Sequence, residues 1–134
     1  MVARPVVYLA VLSGDSKRVS ACLPLEVGMP FYFEFINSIY LAPVRETLVY
    51  TESQGVSVVM VESPSAGVFE YYGLQPDGSG SVVLHRRVGD IRIRSHNYEN
   101  HKLTVGEKTI YFKEFAENGQ LVIIKVSKGT PCVP

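Results

Sequence analysis

Along most of the chain, apolar and polar positions alternate at the two-residue period of a half-buried strand. Phe31, Phe33 and Phe35 alternate with Tyr32 and Glu34, which puts three Phe rings on one face. Ile91 and Ile93 point one way while Arg92 and Arg94 point the other. "RPVVYLAVL" and "RVSACLPL" flank the turn residues 13–17, so residues 5–25 read as a hairpin. "VRETLVYTE" and "VSVVMVE" flank Ser53-Gln54-Gly55 as a second hairpin. "GVFEYYGL" reads as a short strand, and "PDGSG" at 76–80 is the strongest turn in the chain. "SVVLHRRV" and "DIRIRS" meet across Gly89. "KLTV", "TIYFKEF" and "LVIIKVS" break at Gly106 and at Glu117-Asn118-Gly119, where Asn-Gly favours a tight hairpin turn.

About ten short strands at this spacing, with no helical stripe of useful length, predict an all-β fold. The expected form is an antiparallel β-sandwich or a small, partly closed barrel. With 134 residues and no compositional break, residues 1–134 form one domain. A chain of this length hides roughly two-thirds of its surface on folding, enough for a true core.

Charge removes one class of partner. The chain carries 13 basic and 13 acidic residues, so it lacks the cationic footprint that nucleic acid requires. Residues 85–102 are locally basic, through Arg86, Arg87, Arg92, Arg94 and Lys102 against Asp90 and Glu99. Alternation makes this a solvated sheet face first. Cys22 and Cys132 have no metal-ligand spacing. Bonded, they would close a long loop worth about 4–5 kcal/mol in the chain-entropy model and fit an oxidising compartment. As free thiols they would fit a reducing one. The run Val6–Leu12 is seven residues, too short for the ~20 of a membrane span, so no membrane insertion is expected. It lacks a signal cleavage site, so the chain reads as cytoplasmic if complete as written, or as lacking a leader.

Catalytic patterns are absent or weak. Gly14-Asp15-Ser16 lies in a turn and no Gly-x-Ser-x-Gly elbow occurs. His85, His96 and His101 lack the i, i+2 spacing that would put two imidazoles on one strand face, so no metal site is expected. There is no phosphate-cradling glycine loop, and no cofactor is implied.

The distinctive stretch is "FINSIYLAPVRE", residues 35–46. Asn37-Ser38 can hydrogen-bond its own backbone and bend the strand. Pro43 supplies no ladder N–H and marks an edge or kink. Arg45 and Glu46 then take opposite faces. Tyr71-Tyr72 would place one ring outside, and an exposed Tyr72 beside Gly73 suits a contact role.

In this stretch the chain resembles a family of small prokaryotic β-domains of uncharacterised function, encoded beside TRAP transporters of the TAXI type. The family pattern is an aromatic strand, His-Ser-Val, a few residues, then Pro-Val-x-Glu. Here it reads Phe35, Asn37-Ser38-Ile39 and Pro43-Val44-Arg45-Glu46. "CLPLEVGMPFYFEF" is similar to the family's lead-in, and "IRIRS", "HKLTVGEKTIYF" and "GQLVIIKV" to its closing strands, with His101 and Leu103 in place. The family's imidazole is Asn37 here, and only Gly67 and Gly73 stand where the family has closely spaced glycines.

The resemblance implies an extracytoplasmic or membrane-associated, non-enzymatic domain that works with a solute-transporter subunit. Ser38, Arg45 and Glu46 would then be a docking or ligand-contact surface, or the buried network that holds the strand corner. The alternative is a small-molecule module for an organic anion, with Arg92 or Arg94 as its carboxylate partner. The expected contact set is therefore Asn37, Ser38, Pro43, Arg45, Glu46, Tyr72, Arg92, Arg94 and His101.

Overall fold

The computed structural model describes residues 6–14, 18–96 and 100–128. It holds ten strands: β1 (Val6–Ser13), β2 (Arg18–Glu26), β3 (Phe31–Asn37), β4 (Ala42–Thr51), β5 (Gly55–Glu62), β6 (Ser81–Arg87), β7 (Ile91–Arg94), β8 (Lys102–Val105), β9 (Lys108–Tyr111) and β10 (Leu121–Ser127). A helix, α1 (Ala66–Tyr71), follows β5, and a 3-10 turn, Phe112–Glu114, follows β9. The strands form two antiparallel sheets in the orders β2-β1-β10-β7 and β6-β5-β4-β3-β8-β9. Neither sheet closes on itself, so of the two expected forms the chain adopts the sandwich. Among the described residues no helix is long and apolar enough to cross a membrane.

The core lies between the sheets. Val7, Leu9, Val11, Leu25, Val122 and Ile124 of the smaller sheet form one cluster with Phe31, Phe33, Leu48, Val61 and Leu103 of the larger. The alternation read from β3 holds: Phe31 and Phe33 are buried and Phe35 is half-buried. The hairpins β1–β2, β4–β5 and β8–β9 form where the turn residues place them.

Four expectations differ. "GVFEYYGL" is not a strand: Val68 and Phe69 are buried on α1, and Gly73 ends the helix at φ +74°. There Gly73 N–H donates to the Glu70 carbonyl and Leu74 N–H to the Phe69 carbonyl, the paired bonds of a Schellman stop. β6 and β7 flank Gly89 but join different sheets, so the chain crosses the sandwich there. The strand in "TIYFKEF" ends at Tyr111, because Phe112 turns inward and is fully buried. Asn118-Gly119 does make a turn, with Gln120 N–H on the Glu117 carbonyl, yet it leads from β9 of one sheet to β10 of the other and closes no hairpin.

Cys22 lies on β2 opposite Ala10 and is not a free thiol. Cys132, Asp15, Ser16 and Glu99 lie outside the described residues.

Candidate functional site

A cleft of about 450 Å³, within the range of small-molecule sites, is lined by residues of both sheets. The inner face of β3 and β4 supplies Phe33, Phe35 and Glu46. β7, the edge strand of the smaller sheet, supplies Ile91, Ile93 and Arg94. Tyr71 and Tyr72 come from the end of α1, Asn37, Ser38 and Ile39 from the β3–β4 turn, and His96 and His101 from the β7–β8 connection. Thus Asn37, Ser38, Glu46, Tyr72, Arg94 and His101, scattered in sequence, share one cleft.

Glu46 pairs in register with Phe33, so its carboxyl rises among aromatic rings on the inner face. The Schellman stop aims Tyr72 back across the sheet, and its hydroxyl donates to Glu46 Oε2 at 2.5 Å. Burial raises the Glu46 pKa above the ordinary carboxylate value, while the Tyr72 hydroxyl and the Arg86 charge pull it back. Burial and the neighbouring carboxylate keep the Tyr72 phenol protonated. Arg86 spends a guanidinium N–H on the Tyr72 carbonyl at 3.1 Å.

His101 is buried beside Phe112, with ring centroids 4.9 Å apart. Its Nδ1 accepts the backbone N–H of His96 at 3.0 Å. An N–H can donate only to a bare ring nitrogen, so His101 carries its proton on Nε2. Burial, helped by the nearby His96, depresses the His101 pKa to about 4. At neutral pH the ring is an uncharged donor.

Asn37 is buried, and its Oδ1 accepts the N–H groups of Ile39 at 2.9 Å and Tyr40 at 3.0 Å. This shapes the β3–β4 turn, as its Asn-Ser sequence suggests. Ser38 is exposed on the rim. Arg94 is exposed at the end of β7, on the side opposite Ile93; it borders the cleft, its Nη1 lies 3.5 Å from the Gly119 carbonyl oxygen, and it also lines a neighbouring hollow with Gly14, Glu117 and Gln120.

Pro43, Arg45 and Arg92 do not line the cleft. Pro43 and Arg45 line a shallow hollow with Glu34 and Glu62. There the register sets Glu62, Arg45, Glu34 and Lys102 side by side across four strands, alternating in sign. Lys102 pairs with Glu34 at 3.8 Å, and the Arg45 guanidinium stands 4.0 Å over the Tyr32 ring. Arg92 is exposed on β7, and His85 is exposed on β6. The basic stretch is therefore dispersed: Arg87 donates to the Gln54 carbonyl, Lys102 joins the outer row, and Arg94 reaches the cleft. Among the described residues no cluster of three His, Cys, Asp or Glu is placed to hold a metal ion.

Sequence reasoning did not single out Phe33, Phe35, Ile91, Ile93, Tyr71 or His96 as lining residues. The apolar alternation of Phe33, Phe35, Ile91 and Ile93 marks those four as inward-facing but does not distinguish core from cleft wall.

Comparison with models of known families, with curated proteins and with solved structures finds no match to this chain.

Proposed function

We infer that the protein is a non-enzymatic binding domain and that the cleft holds a small organic anion. The observation that carries this reading is the composition of the cleft. An apolar and aromatic wall encloses a few convergent polar groups, with one guanidinium, Arg94, at the mouth. Phe35, Ile91 and Ile93 would cover the apolar body, and Arg94 would take the carboxylate. His101, with its Nδ1 already accepting, offers a neutral Nε2–H as donor. The test is a melting-temperature survey against a broad panel of organic acids. A ligand present at 100 times its Kd raises stability by about 2.7 kcal/mol, readily seen as a shift. No shift across the panel would overturn the reading.

A second reading, docking to a solute-transporter subunit, draws support from the resemblance at residues 35–46 and from the β3–β4 tip beside the cleft. Ile39 and Leu41 are 64% and 74% exposed. Leu41 is held at φ +50°, a conformation that costs a branched residue roughly 1–2 kcal/mol. An exposed apolar pair at one turn, with Leu41 at a costly φ, suits a contact surface. Capture from detergent-solubilised membranes tests it: a transporter subunit should be retained by the parent and lost by a folded Ile39→Ser/Leu41→Asn variant. Equal capture by both would count against the tip.

A further inference from the structure

The cleft presents two opposite charges, and this restricts what can fill it. Glu46 brings a carboxyl into an aromatic surround, where its Oε2 accepts the Tyr72 hydroxyl. Among the described residues Glu46 forms no ion pair. The Arg86 guanidinium hydrogen-bonds the Tyr72 carbonyl and acts on Glu46 through space. A carboxylate taken out of water without a counter-charge is costly, and a ligand that supplies the charge recovers that cost. Aromatic faces reinforce the preference, because they attract cations and repel anions. Phe33 and Phe35 stack at 5.0 Å between centroids beside Glu46, and Tyr71 and Tyr72 meet edge to face at 6.0 Å on the other wall. Arg94 at the mouth calls for the opposite charge.

We propose that the ligand is a zwitterion of the amino-acid type with an apolar side chain, its ammonium on Glu46 and its carboxylate on Arg94. This rests on the organic-acid reading of the cleft and narrows it. A simple carboxylic acid satisfies Arg94 and leaves Glu46 with only the Tyr72 hydroxyl and the through-space charge of Arg86, whereas a simple amine leaves Arg94 without an anion. The zwitterion satisfies both, and its side chain covers Ile91 and Ile93.

The experiment is calorimetric titration of the intact protein with phenylalanine and leucine, with 3-phenylpropanoate and 4-methylpentanoate as the same skeletons without the amine, and with phenethylamine as the skeleton without the acid. A charge-assisted hydrogen bond is worth roughly 1.5–3 kcal/mol, so an amino acid should bind about 10–100-fold tighter than its deaminated analogue. Glu46→Gln should erase that preference, and Arg45→Ala, which lies outside the cleft, should preserve it. Circular dichroism establishes that each variant is folded. Equal binding of the deaminated acids would overturn the zwitterion and leave the organic-acid reading standing. Phenethylamine binding as tightly as phenylalanine would overturn the role of Arg94. Failure of every probe, together with a melting survey without a hit, would overturn both readings.

Discussion

Tyr72 and Glu46, 26 positions apart in sequence, are joined by a 2.5 Å hydrogen bond from the phenol to the carboxyl. The bond ties α1 to the inner face of β4 and sets one wall of the cleft against its floor. Tyr72→Phe removes the donor and leaves a largely desolvated carboxyl. The expected loss is roughly 1–3 kcal/mol at neutral pH. The Glu46 pKa, already raised, should rise further, because the hydroxyl was lowering it. A carboxyl whose folded pKa exceeds its unfolded value contributes stability below the unfolded value, and loses it as pH rises through the folded one. Urea titrations should therefore show the Tyr72→Phe deficit growing from acid toward neutral pH. Glu46→Gln should flatten that dependence.

His101 predicts the opposite slope. Its folded pKa, about 4, lies below the 6.5 of an unperturbed imidazole. Between these values the unfolded chain binds a proton that the folded chain does not, so stability falls as pH drops through that window and levels off below it. The size is on the order of 3 kcal/mol. His101→Gln should remove this component, read as the difference between the two proteins across pH 4–6.5. An imidazole NMR titration should place the His101 midpoint near 4.

Arg45 belongs to the outer row and not to the cleft. Arg45→Ala should cost roughly 0.5–1 kcal/mol by losing its contact with the Tyr32 ring. It should leave ligand-induced melting shifts unchanged. A lost shift in Arg45→Ala would contradict the assignment of faces.

Thr47 is buried, and its hydroxyl has no hydrogen-bond partner among the described residues. Thr47→Val keeps the shape and removes the unpaired polar atom. It should stabilise the fold by roughly 1–3 kcal/mol, measured by urea denaturation.

Much of this architecture was legible from two-residue alternation. That period alone sets Arg45 and Glu46 on opposite faces and turns Phe31, Phe33 and Phe35 inward. It failed at "GVFEYYGL", where six helical residues are too few to display a 3.6-residue stripe and the aromatic content mimics a strand. Gly73 held the missing signal, since a glycine after a short apolar run suits a helix stop. The convergence of Glu46, Tyr72, Arg94 and His101 could not be read, because it depends on β6 and β7 joining different sheets. The Asn-Gly turn misled for the same reason: local turn chemistry fixes a bend but not the sheet that receives the next strand.

The account depends most on the cleft being a binding site. The direct measurement is an amide NMR titration of labelled protein with phenylalanine. Binding in the cleft should give saturable shifts confined to β3, β4, β7, the end of α1, His96 and His101, all weakened in Arg94→Ala. Shifts spread over the outer row at Arg45 and Lys102, or shifts in the cleft that persist unchanged in Arg94→Ala, would contradict it.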